Sequence, residues 1–149
     1  MTDAILMDHL PDPERHAEFY QGVTTKRGLA WLIDITLIFI VTMIILPFTA
    51  FTALFFYPLL FMAVGFLYRW WSLSRRSATP GMRLLGIEFL NRDGQRLDTG
   101  EALVHVVGYM LSMGTLLVQL LSVGLMLTSR RGQGLTDFIV GTVAINRSA

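Results

Sequence analysis

The chain has 149 residues, 53% hydrophobic and 15% charged, with a mean hydropathy of +0.54 and a net charge of +1. The charges are segregated: residues 28–68 are 41 positions with one charge, Asp34, and residues 102–128 are 27 positions with none. Surface helices and strands in water need a polar face, so this pattern excludes an ordinary soluble fold and predicts an integral membrane protein.

In the first 25 residues, Asp3, Asp8, Asp12, Glu14 and Glu18 stand against Arg15 for a net −4, while the rest of the chain is +5. A secretory signal has a basic start and then an apolar core, whereas this segment is acidic and broken by Pro11 and Pro13. It is expected to be a cytoplasmic tail, mostly irregular. His9 and His16 lie seven apart, but the prolines interrupt any helix that would align them, and no metal site is expected.

A spanning helix takes about 20 apolar residues, so the first apolar run predicts two spans joined by a tight turn. With a break at Pro47, the spans fall at about 26–46 and 51–71, the second kinked by Pro58. Lys26 and Arg27 precede the first span, and Arg69, Arg75, Arg76 and Arg83 follow the second. The N-terminus and the 69–101 segment are therefore expected in the cytoplasm. Trp31, Tyr68, Trp70 and Trp71 fall near the inner ends, where aromatic rings favour the interface.

Next comes a predicted β element over about 83–98. Leu85, Ile87 and Phe89 alternate, and Asp93-Gly94 favours a two-residue turn that pairs Leu90 with Leu97. A third strand is expected within 139–145. Asp98 and Glu101 read as a capping pair opening the next helix. The apolar segment 102–128 has two readings. One is a single tilted span that puts the C-terminus outside; the other is a pair of half-helices, broken near 112–115, that dips in and returns. The second keeps the basic clusters on one side. The expected fold is thus an all-α membrane protein, a transmembrane helical bundle with a small cytoplasmic β-hairpin element.

Asp34 is the one ionisable acid within the apolar runs, and a carboxylate there must find a partner or stay protonated. Arg27 lies on the same helix face, seven positions earlier and about 10 Å along the axis. The Gly-rich segment 129–137, with Arg130, Arg131 and Asp137, is the next candidate partner. His105 is read as hydrogen-bonded structure ahead of a proton relay. Ser112, Gln119 and Ser122 are read as interhelical hydrogen bonds, and Gly108 with Ser112 as a close helix approach.

Arg27 at the start of the first span, Asp34 within it and Asp137 after the last apolar segment resemble the residues that name the RDD family of small bacterial membrane proteins. The matching stretches are Arg27-Gly28-Leu29-Ala30-Trp31-Leu32-Ile33-Asp34, Ala78-Thr79-Pro80-Gly81-Met82-Arg83-Leu84-Leu85-Gly86-Ile87 and Leu135-Thr136-Asp137-Phe138-Ile139-Val140-Gly141-Thr142-Val143. The resemblance covers about 26–145, leaving 1–25 as the tail. Two positions depart from it: Thr136 stands where a histidine is common, and His105 lies near where many members carry an arginine. The resemblance implies a bacterial inner-membrane protein, with transport suggested and sodium/proton antiport proposed for some members.

Motifs of hydrolases, metalloproteases, phosphate-binding loops and dinucleotide folds are absent, so neither catalysis nor a cofactor is expected. No basic run exceeds two residues, which argues against nucleic acid, and the lack of cysteine excludes disulfides and thiolate sites. The expected partners are the lipid bilayer and a second copy or another membrane protein. Two functions remain open. Asp34 is an intramembrane site for transport of ions or small solutes, or Arg27, Asp34 and Asp137 are a structural ion network in an accessory protein.

Overall fold

The computed structural model describes residues 9–147. The first long helix, α1 (Val23–Phe48), is about 39 Å long at helical rise. It buries one narrow stripe, Ala30, Asp34, Ile38, Thr42 and Leu46, at four-residue spacing, while Leu32, Phe39 and Ile44 stay exposed. The second, α2 (Tyr57–Arg76), buries Gly65, Arg69 and Leu73 on the same period, with Gly65 against Ile38. Both are long and apolar enough to cross a bilayer.

The two prolines play different parts, and the second departs from expectation. Pro47 lies inside the last turn of α1, and the chain reverses after it through Ala50 and Phe51, both in the left-handed region with φ 51° and 61°. Pro58 does not kink α2: it sits in its first turn, where the missing N–H leaves no partner unsatisfied, after a 3₁₀ turn at Thr52–Phe56.

The segment expected to form a hairpin starts with a short helix, α3 (Pro80–Leu84), whose N-terminus is capped by Thr79: its Oγ1 accepts the Met82 N–H at 3.2 Å. The strand β1 (Ile87–Leu90) follows and pairs antiparallel with β2 (Val143–Asn146), so Leu90 faces Val143 and not Leu97. Local bonds explain the correction. The Asn91 side-chain oxygen accepts from the Asp93 and Gln95 N–H groups at 3.0 and 2.9 Å, and the Asn91 backbone N–H donates to Gln95 O at 2.8 Å, closing a tight loop. Leu97 donates its N–H to Ser77 Oγ at 2.6 Å and leads straight into the Asp98 cap.

That cap opens α4 (Thr99–Met113) with the reciprocal bonds expected of it, Glu101 N to Asp98 Oδ1 at 2.7 Å and Asp98 N to Glu101 Oε2 at 3.0 Å. The chain breaks at Gly114 and Thr115 and continues as α5 (Leu116–Thr128), bent by 117° from α4. At about 22 and 20 Å, neither half matches a 30 Å hydrocarbon core. The third segment is therefore a broken pair and not a straight span. Residues 139 and 140, expected as strand, belong instead to the helix α6 (Leu135–Val140), closed by Gly141 at φ 81°.

The main core gathers at the N-terminal end of α1, where Val23, Ala30, Leu73, Met82, Ile87, Phe89, Ala102 and Val106 pack around the sheet. The far end is apolar and bare, with Phe48 and Phe55 each 86% exposed. The acidic tail is more ordered than expected from residue 9 onward. Leu10 is buried with Val143 and Ile145, and Asn146 Nδ2 donates to Glu18 O and Gln21 O at 2.9 Å. Asp3 and Asp8 lie outside the described residues.

Because the chain has no native cysteine, strand pairing can be read by cross-linking. Glu88→Cys with Ile145→Cys, opposite one another in the sheet, should form an oxidant-induced disulfide, and Leu90→Cys with Leu97→Cys should not. Protease cleavage between 97 and 143 followed by gel migration distinguishes the two.

Candidate functional site

Arg27 and Asp34 project from the same side of α1 two turns apart, but they do not meet each other. Arg27 Nη1 donates to Asp137 Oδ2 at 2.5 Å and to Gly132 O at 3.0 Å. Asp137 is 1% exposed and its carboxylate is fully engaged. Besides Arg27, Oδ2 accepts the Gly134 N–H at 2.9 Å, and Oδ1 contacts His105 Nε2 at 2.9 Å and accepts Thr142 Oγ1–H at 3.0 Å. His105 in turn packs on Phe89, 4.5 Å between ring centres, and the Arg27 guanidinium lies 5.2 Å from the centre of the same ring.

Burial pushes the Asp137 carboxyl up, but the Arg27 guanidinium outweighs it, aided by His105 and the Gly134 N–H. The net result holds the group well below the usual carboxylate range.

Asp34 is held in another way. It is 3% exposed, and Tyr68 Oη–H (2.7 Å), Thr79 Oγ1–H (2.5 Å) and the Gly81 N–H (2.9 Å) all donate to it. All three donors are neutral. The ion pairs among the described residues join Arg15 to Asp12, Arg27 and His105 to Asp137, Arg96 and Arg147 to Glu88, and Arg130 to Glu14, and Asp34 is in none of them. The Gly-rich segment thus does not supply a partner for Asp34. Arg130 points to Glu14 of the tail at 2.7 Å in an exposed pair that contributes little, and Arg131 lies beside Tyr20.

Tyr68, Thr79 and Gly81 escaped the sequence reading as site residues. The cap and start signal of Thr79-Pro80 was present in the sequence, and it places the Gly81 N–H in the unpaired first turn of a helix.

Between these two anchors lies a cavity of about 410 Å³, bounded by α1, α2, α4, α5 and the start of α6. Both acids are in its wall, along with Arg27, Arg69, His105 and Gln119. Across its tip, Ser112 Oγ donates to Gln119 Oε1 at 2.8 Å, joining the two half-helices. Ser122, buried in the cavity wall, accepts the Leu135 N–H through its Oγ at 3.0 Å. Gly108 faces Thr136, whose Cγ2 would stand 2.7 Å from an added Cβ. Its small size therefore serves the contact with α6.

Two apolar helices of spanning length, a broken third pair and a buried Arg–Asp anchor tied to a small sheet make a mostly helical protein compatible with a bilayer. The model of the RDD family matches residues 22–141, and the chain belongs to that family. Comparison with curated proteins and with solved structures found no match to either.

A carboxyl titrating below its ordinary value contributes stability that is complete above about pH 4 and is lost as pH falls toward its folded value. Asp137→Asn removes that contribution and leaves Arg27 without its counter-charge, at a cost of about 3 to 5 kcal/mol. Thermal unfolding in detergent should show a lower midpoint at pH 7 and a shallower decline between pH 5 and 3 than in the parent protein. A Cβ on Gly81 would stand 2.8 Å from Asp34 Oδ1 and closer still to Ala30 O, whereas one on Gly28 meets nothing within 4 Å. Gly81→Ala should cost about 1 to 3 kcal/mol by overpacking, while Gly28→Ala gains up to about 1 kcal/mol in helix propensity. The same melts measure both.

Proposed function

We propose that the protein is a non-enzymatic, multi-pass protein of the bacterial inner membrane with a cytoplasmic N-terminus, and that it transports an ion or small solute through the cavity beside Asp34. The observation that carries this reading is the state of Asp34: a buried carboxylate in a cavity wall, held by neutral donors and entering no ion pair among the described residues. A negative charge without a counter-charge in a low-dielectric site attracts a proton or a metal cation, and intramembrane carboxylates often mark ion paths. The orientation is supported by the basic residues gathered at the sheet end. Lys26 Nζ reaches Asn146 Oδ1 at 2.7 Å, with Arg96 and Arg147 both beside Glu88.

A structural reading is favoured for the other half of the family motif by a separate observation. The Asp137 charge is cancelled in place by the Arg27 guanidinium, which suits an anchor and leaves no net charge to attract a cargo ion. The motif then divides its labour: Arg27 and Asp137 hold the fold, and Asp34 faces the cargo.

Asp34→Asn in proteoliposomes tests the division. Proton- or sodium-driven flux should fall at least tenfold, while folded yield and unfolding temperature stay near those of the parent. Parallel loss of flux and folded yield would assign Asp34 to the structural network instead.

A further inference from the structure

The cavity holds a second charge that a cation path does not use. Arg69, counted in the sequence as a flank of the second span, is 7% exposed on α2 and enters none of the ion pairs among the described residues. Its Nη2 donates to Tyr109 Oη at 3.2 Å, and its guanidinium carbon lies 4.6 Å from the centre of the Tyr109 ring. Tyr109 Oη also accepts the Trp31 indole N–H at 2.7 Å. A guanidinium has five N–H donors, and one of them has an acceptor here. A phenol oxygen that accepts two N–H bonds has its own O–H left to donate, and no acceptor for it lies among the described residues. Donors are thus in excess at this corner of the cavity, around a buried positive charge.

We infer that Arg69, with Tyr109 and Trp31, binds the oxyanion of an amphiphile, a carboxylate or phosphate joined to an apolar body. The oxyanion supplies both the missing charge and the missing acceptors, and the planar guanidinium fork matches its geometry. The apolar body follows from the remaining walls of the cavity, which Leu73, Val106, Met113, Val123 and Met126 help to line. At about 410 Å³ the cavity is in the range of small-molecule sites. Asp34 does not neutralise the corner: its oxygens accept from Tyr68, Thr79 and Gly81, and no ion pair joins it to Arg69. The inference rests on the cavity being a ligand chamber, as above, but not on Asp34 taking a cation.

Decanoate titrated against the full chain in dodecyl maltoside, below its own micelle concentration, should raise the unfolding temperature saturably, and decanol should not. Arg69→Gln should weaken the decanoate response at least tenfold. Tyr109→Phe, which keeps the ring beneath the guanidinium, should weaken it severalfold and decides the matter if Arg69→Gln does not fold. Decanoate and decanol acting alike, or folded variants responding like the parent, overturns the assignment. Dioctanoyl phosphatidylglycerol titrated in parallel separates the sources. An Arg69-dependent response to the phospholipid alone assigns the oxyanion to a lipid headgroup, a response to decanoate alone assigns it to a free carboxylate, and no response to either overturns the site. An Arg69-dependent response in protein that shows no ion flux keeps this inference and removes the transport reading; flux without such a response does the reverse.

Discussion

Four donors meet the buried Asp137 carboxylate, and they come from four parts of the chain: Arg27 on α1, His105 on α4, Gly134 before α6 and Thr142 before β2. A buried charge that loses one such donor is left with an unmet desolvation cost of several kcal/mol, so each donor constrains the position of its own segment. The ends of the described chain are thereby locked to its middle. The apolar core is tied to the same point through Phe89, which packs on His105 and lies under Arg27 while belonging to β1. Displacing the sheet would expose the ion pair, and breaking the ion pair would loosen the sheet.

Asp34 repeats the device two turns along α1 with a different chemistry. Its donors come from α2 and from the capped start of α3, so α1 is pinned at Arg27 to the Gly-rich segment and, two turns on, at Asp34 to its neighbouring helix. The close approach needed for the Gly81 bond leaves no space for a Cβ there. The difference between the anchors is electrostatic. At Asp137 a cation cancels the charge within the protein, whereas at Asp34 dipoles spread it without cancelling it.

Features set by composition or by near neighbours were legible in the residues. Apolar run length marked two helices long enough to span a bilayer, the Asp98–Glu101 spacing marked the start of α4, and Arg27, Asp34 and Asp137 were singled out, although the structure joins only Arg27 and Asp137. What failed were readings in which a local signal lost to a distant one. Asp93-Gly94 is a good hairpin turn, yet β1 found its partner more than fifty residues away, because the Asn91 side chain closes the loop upon itself and Leu97 is drawn to Ser77. Arg69 shows the same limit for the site. Counted with the basic flanks it was a topology marker, and its burial becomes visible once Tyr109, forty positions later, lies against it. Arg27 and Asp34 were placed correctly on one face, but sharing a face does not make two residues partners when about 10 Å of helix separates them.

The remaining charges explain why a cavity is sustainable at all. Arg27 and Asp137 cancel by contact, and Asp34 and Arg69 carry opposite charges into the same space with no ion pair to either among the described residues, so the chamber is formally balanced while two of its charges stay uncancelled by contact. In a low-dielectric interior opposite charges attract over longer distances than in water, which lowers the cost of holding each one. Its walls are unequally secured. The anchors fix α1, α2, α3 and α6, whereas α5 buries Ser122 and is tied by side-chain bonds at Thr24 to Met126 O, at Ser112 to Gln119 and at Ser122 to Leu135. A wall with few buried contacts belongs to the low-stability end of a structure. The chamber therefore has rigid sides where its charges are held and one lightly tied side, α5, where the chain bends back from its tip.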